Sequence, residues 1–267
     1  MRGVIARLHA RVGEYWREIA LGAIILVSIL GMMVAEPIAQ SLAYHNFADS
    51  RSFWGIPNFL DVATNIPFLI VGVLGLVYVL RHPQPAAPWS WIVVFLGIAA
   101  VGFGSAYYHW NPNSATLVWD RLPMTIAFMG LVVALLSEHV RPRIERVWLV
   151  PTLVVGFASV LYWHYTDDLR AYIWVQAAPF LLVACALALF RGRYSHQRYL
   201  IYAVVLYAMA KIAEYYDVNI YLLSQQLFSG HSLKHLLAGV GAGFLYLMLT
   251  RRQAHHVAQT DALRASL

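Results

Sequence analysis

Charge is the scarcest commodity in this chain of 267 residues: only 12% of it is Asp, Glu, Lys or Arg, against 60% hydrophobic residues. That balance excludes an ordinary soluble domain, whose surface needs about a quarter of its residues charged. Cysteine is nearly absent too. The single Cys185 lies inside an apolar run, which rules out an internal disulfide and every cysteine-based metal motif. Strict apolar–polar alternation is missing, and with it the signature of a membrane β-barrel. No repeat period, domain linker or low-complexity segment is visible.

What the chain does have is apolar runs of roughly 20 residues, the length at which a helix crosses a bilayer. We read eight: 19–43, 58–80, 89–109, 115–137, 147–165, 171–190, 199–222 and 231–250. The expected fold class is an all-α polytopic membrane helix bundle, with residues 1–46 as a basic N-terminus plus a first span, 47–250 as a seven-helix core and 251–267 as a polar tail. The first run has basic flanks but no small-residue cleavage site, so it reads as a retained span rather than a signal peptide.

Topology explains the basic balance of 19 Lys plus Arg against 13 Asp plus Glu without invoking nucleic acid. Arginines collect at Arg2, Arg7, Arg11 and Arg17, at Arg81, at Arg141, Arg143 and Arg146, at Arg191, Arg193 and Arg198, and at Arg251, Arg252 and Arg264. These are the two termini and every second connection. The intervening connections carry little beyond Arg51 and Arg170 and include Asp49, Asp167, Asp168 and Asp217. Positive-inside bias then places both termini in the cytoplasm, in agreement with an even number of spans. The connection at 138–146 reads as a solvated cytoplasmic loop.

The stretch Ser229-Gly-His231-Ser-Leu-Lys-His235-Leu-Leu-Ala-Gly239 opens the last apolar run with two histidines four residues apart. On a helix these share a face, so both imidazoles can address one ion. Titratable groups within a membrane helix are functional candidates by default. The charge map places His109, Ser105 and Asp120 at the same membrane face as His231 and His235. Ser105 and His109 are again four residues apart. Three imidazoles with one open position form a catalytic zinc site, in which a bound water is activated for attack on a carbonyl carbon. Ser105 then assists the developing oxyanion and Asp120 moves the proton. The alternative is three separately satisfied interfacial histidines. His164, between Trp163 and Tyr165, competes for the ligand role but reads better as part of an aromatic belt. Asp61 and Asn65 share a face and read equally as a functional pair or an interhelical hydrogen bond. Lys211, Glu214 and Asp217 form an i, i+3, i+6 series able to hold an ion pair in the bilayer. A retinal Schiff base on Lys211 would leave the histidines unexplained. Gly239 and Gly243, below His235, would let that helix pack closely on its neighbours.

Three blocks carry a family resemblance: Pro57-Asn-Phe-Leu-Asp-Val-Ala-Thr-Asn-Ile-Pro-Phe68, Gly104-Ser-Ala-Tyr-Tyr-His109 followed by Asp120, and Gly230-His-Ser-Leu-Lys-His235. Over roughly 47–250 the chain resembles the alkaline ceramidases, within the wider superfamily of seven-helix membrane hydrolases that includes the progestin and adiponectin receptors. The resemblance implies zinc held by His109, His231 and His235, with Ser105 and Asp120 completing the site. It implies hydrolysis of the ceramide amide, or that of another N-acyl lipid in the membrane, to a free amine and a fatty acid. A receptor-like or sensor protein that binds a lipid and keeps the metal structurally is the second reading. The calcium-binding acidic segment of eukaryotic members has no counterpart here beyond Asp49, Asn58 and Asp61. The extra first span and the Arg-rich, Lys-poor loops point to a bacterial relative, hence an inner membrane with the site toward the periplasmic face. No oligomeric state is implied.

Overall fold

The computed structural model describes residues 2–190 and 194–254, with side chains from residue 15. Arg191, Arg193 and nearly all of the expected tail, His255 and His256 included, lie outside the described residues. The chain runs α1 (Arg2–Val34), a 3-10 turn (Leu42–His45), α2 (Phe59–Ala63), α3 (Ile66–Arg81), α4 (Pro88–Trp110), α5 (Ser114–His139), α6 (Arg143–Thr166), α7 (Arg170–Leu189), α8 (Arg198–Tyr215), α9 (Asp217–Leu223) and α10 (Gly230–Arg251). The described residues contain no named strand, only two isolated bridges.

Among the described residues, seven segments are long and apolar enough to cross a membrane: Tyr15–Val34, Phe59–Arg81, and α4, α5, α6, α7 and α10. The expected span 199–222 is not among them. Its 18-residue α8 contains Arg198, Lys211 and Glu214, and the chain leaves helical geometry at Tyr216 before α9 begins. Yet α8 belongs to the bundle, for it packs along α10.

The bundle is apolar on its outside as well as within. On α3, Gly72, Gly75 and Val79 face the protein, while Ile70, Leu74 and Leu80 are each about half exposed or more. In water such a ring of apolar faces would aggregate; hydrocarbon solvates it. Inside, α4 and α5 form the centre, with Trp91, Phe95 and Ile98 packed against Ala134, Leu135 and Leu249. The segment α1 touches this body chiefly at α7. There Arg170 pairs with Asp168 at 2.7 Å, donates to the Ala35 carbonyl at 2.5 Å, and holds the Asp168 carboxyl well below the usual carboxylate range.

The 138–146 connection is not a solvated loop. Helix α5 runs to His139 and α6 starts at Arg143, so only a short turn joins them. Glu138 and Glu145 are buried there. Glu138 accepts from the Trp91 indole and from Arg252, each at 2.6 Å, and Glu145 accepts from the Ser90 backbone at 2.6 Å. These charges are buried because partners on α4 and at the end of α10 satisfy them, a three-dimensional arrangement that loop composition does not encode.

Candidate metal centre

Three helix ends build the site. Helix α4 ends at Trp110, one residue after His109. Asn113 restarts the chain as α5 through a reciprocal capping box with Thr116, its side chain accepting from Ala115 N and Thr116 N at 2.9 and 3.0 Å. Gly104 lets α4 and α5 meet closely here, since a Cβ on it would stand 2.1 Å from the Trp119 carbonyl oxygen. That contact puts Ser105 beside Asp120, whose carboxylate its hydroxyl reaches in a hydrogen bond. Both are buried.

The third end is the start of α10. Ser229 caps it, accepting from Ser232 N at 2.9 Å, and the Ser232 hydroxyl donates to Asp61 Oδ1 at 2.6 Å. A Cβ on Gly230 would stand 2.2 Å from the Ala213 carbonyl oxygen, so glycine alone lets α10 begin against α8. Asp217 accepts the His231 backbone N–H at 2.7 Å. At Gly239 a Cβ would meet Pro67 at 2.8 Å, a close approach as expected, whereas at Gly243 the nearest atom is an ordinary 3.8 Å away.

With these ends fixed, His109, His231 and His235 form one buried group that could hold a metal ion, their ligand atoms within 4.8 Å of one another. Ring centroids are 4.8 Å apart for His109 to each partner and 5.0 Å between the α10 pair. Whether an ion fits is decided by the ring nitrogens. Both nitrogens of His109 and Nε2 of His235 are buried without a hydrogen-bond partner. Such orphaned groups cost about 1–3 kcal/mol each unless something binds them. The tautomer of His235 follows from its neighbour. The Thr64 hydroxyl donates its one hydrogen to the Leu60 carbonyl at 2.7 Å, so at 3.1 Å it accepts from His235 Nδ1–H and leaves the Nε2 lone pair free. His231 Nε2 accepts from Lys234 Nζ at 2.7 Å, and Lys234 is anchored on Glu214 at 3.0 Å. An ion that took that nitrogen would displace Lys234 toward the carboxylate already holding it. The residues present fit a trihistidine metal centre.

Phe47 packs with tilted rings against both His109 and His231, at centroid distances of 4.7 and 4.6 Å. Below, a cavity of about 320 Å³ is lined at its polar end by Ser105, Asp120, Arg121, Lys234 and His235, and along its length by apolar residues from Phe68 and Val101 to Val94 and Leu245. Its extent along α10, from His235 to Leu245, is about 15 Å at the helical rise of 1.5 Å per residue.

The other candidates are outside the trihistidine group. His164 is exposed and packs against Trp163 and Tyr165. Asp49 pairs with Arg51 at 2.7 Å, and Asn58 donates to the His109 carbonyl at 2.8 Å. Asp61 makes the interhelical hydrogen bond, accepting from Ser232 and Ser229 at the start of α10, while Asn65, between α2 and α3, donates to the Asp61 carbonyl at 2.7 Å. Lys211 and Glu214 do pair, but Asp217 belongs to α9 and serves α10 instead. Sequence reasoning missed Thr64, Lys234, Phe47 and His45, whose ring nitrogens meet the Tyr108 hydroxyl at 2.9 Å and the Ser114 hydroxyl at 3.1 Å. Only Lys234, set between the two α10 histidines, carried a signal that could have been read.

Fold and site together define a class: a multi-pass helical membrane protein with a buried trihistidine group at the head of an apolar cavity. The ceramidase family model matches residues 53–264, and the chain belongs to that family. No curated protein matches the chain. Membership supports a ceramide-hydrolysing activity, that of a hydrolase acting on amides and on a lipid substrate.

Proposed function

We propose that this protein is a zinc-dependent hydrolase that cleaves the amide of ceramide or a related N-acyl lipid within the membrane and releases a fatty acid. One observation carries the reading: three buried histidines form one group, ring nitrogens of His109 and His235 have no protein partner, and His235 opens onto an apolar cavity. His109, His231 and His235 are the ligands, and zinc held by them supplies Lewis acidity and lowers the pKa of a bound water toward 7. The chain's own groups do the rest. The apolar walls hold an acyl chain, with the amide carbonyl beside Ser105 and Asp120. Asp120 takes a proton from the attacking water, while the Ser105 hydroxyl turns from Asp120 to the carbonyl oxygen as charge builds there. Asp120 then returns the proton to the amine nitrogen as the C–N bond breaks, leaving a free amine and a carboxylic acid. Phe47 limits the access of bulk water.

By the charge map, and with α8 counted as an eighth crossing because it packs along α10, both termini are cytoplasmic and the site faces the opposite side, the periplasmic one in a bacterial inner membrane. Residues 47–250 form the hydrolase core. Residues 1–46 add a span, and the stretch that follows it reaches the site, where Gln40 and Tyr44 line the cavity. The test is purification in detergent, zinc analysis, and measurement of fatty-acid release from ceramides, N-acyl amino lipids and lysophospholipids. One zinc per chain with release from an N-acyl lipid is the expected result; absence of zinc, or release from the ester lipids alone, contradicts the reading.

A further inference from the structure

Arg121 does not belong to the machinery just described, yet it lines the same cavity next to Asp120. Only 5% of it is exposed. A guanidinium buried within a membrane helix bundle is normally paired with a carboxylate or with backbone carbonyls. Here it is not: among the described residues no carboxylate oxygen lies within ion-pair distance of it. One terminal nitrogen, Nη2, donates to the Gln40 side chain at 2.5 Å. The other, Nη1, is buried with no partner. The flat faces of the group rest on the rings of Trp163 and Tyr172, 3.9 and 4.6 Å from their centroids. Two aromatic faces and an amide thus fix its orientation with no carboxylate in ion-pair contact, Asp120 acting on it only from beyond that distance. Burial and then the charge of Arg121 hold nearby His45 below its ordinary range.

The rest of the cavity does not neutralise it. Its walls carry three cations, Arg121, Lys211 and Lys234, against two carboxylates, Asp120 and Glu214. Glu214 is held by both lysines and by the Tyr44 hydroxyl. Asp120 is engaged by Ser105. A buried, preoriented cation with a free N–H at a ligand cavity is an anion receptor, because arginine recognises carboxylate and phosphate oxygens through directed, charge-assisted hydrogen bonds.

Resting on the amidase reading, we propose that Arg121 is a specificity residue for the amine side of the substrate, receiving an anionic group, carboxylate or phosphate, carried close to the scissile amide. Because Arg121 and Asp120 line the same polar end of the cavity, such an anion sits close to the nitrogen that Asp120 protonates. The favoured substrates are therefore N-acyl amino acids or phosphorylated N-acyl amino alcohols rather than neutral ceramide. Fatty-acid chains occupy the apolar length of the cavity in either case.

The experiment compares the zinc-loaded wild type with Arg121→Gln and Arg121→Lys on N-palmitoyl-serine, N-palmitoyl-sphinganine 1-phosphate and neutral N-palmitoyl-sphinganine. Wild type is expected to prefer one or both anionic lipids. Arg121→Gln should lose roughly 10- to 100-fold in kcat/KM on those, the range for a charge-assisted hydrogen bond, and change less than about threefold on the neutral lipid; Arg121→Lys should recover part of the loss. Loss confined to the serine lipid assigns a carboxylate, loss confined to the phosphorylated one a phosphate. Equal losses on all three lipids, or a wild-type preference for the neutral one, overturn the inference while leaving the amidase reading intact. Should no lipid be cleaved, the amidase reading fails. Equilibrium binding of tritiated N-palmitoyl-serine then decides: tenfold tighter binding to wild type than to Arg121→Gln sustains the receptor, and equal affinities overturn it.

Discussion

His235→Ala is expected to abolish both zinc binding and fatty-acid release while leaving a folded protein. His235 offers the lone pair whose direction is set by Thr64, so its loss takes away a ligand that the structure has already oriented. The two histidines that remain lie on different helices, α4 and α10, and cannot close a three-ligand site. Several kcal/mol of transition-state stabilisation depend on the ion, and each 1.36 kcal/mol is a factor of ten, so activity should fall on the order of 10³-fold. The start of α10 keeps its Ser229 cap, its Ser232–Asp61 hydrogen bond and its backbone tie to Asp217, all independent of the imidazole. Zinc analysis with thermal unfolding in detergent checks both halves. Full zinc content in this variant would show that the ion is held elsewhere.

Asp120→Asn separates chemistry from binding. The carboxamide keeps the size of the side chain and can still accept from Ser105, but it cannot take or return a proton. General acid–base catalysis contributes about 10²–10⁴-fold, so kcat should drop by that range with zinc content unchanged. Asp120 is outside the trihistidine group, which is why its loss should spare the metal. A receptor or sensor with a structural ion has no use for this proton and would tolerate the change. Activity within about threefold of wild type would therefore remove Asp120 from the mechanism.

The parts of this account that were legible in sequence are those governed by local periodicity. Apolar runs of bilayer length located the spans, and the i, i+4 spacings of His231 with His235 and Ser105 with His109 put each pair on one helical face. Arginine distribution supplied the long-range step that brought α4, α5 and α10 to one end. The expected span 199–222 was less legible, since that run hides a turn at Tyr216 that separates α8 from α9. That turn frees Asp217 to hold the α10 backbone, a role no spacing rule suggests. The break between α2 and α3 is similar. Pro67, which cannot donate to the turn before it, interrupts the second span, and Thr64 at the interruption reaches His235. Phe47 and His45 come from an irregular segment, where no period exists to be read. Glu138 looked like loop charge because its partners, Trp91 and Arg252, are distant in sequence. Arg121 was visible only as one of two adjacent charges; that Trp163 and Tyr172 flank it depends on how α5, α6 and α7 pack.

The central claim is that hydrolysis runs on an ion held by His109, His231 and His235. Protein stripped with a chelator and titrated with zinc, while fatty-acid release from an N-acyl lipid is followed, tests it most directly. Activity should be absent at the start, rise in proportion to added zinc and break at one ion per chain, with no rise in His235→Ala. Full activity in the stripped protein, or a rise of equal size in the variant, would contradict it.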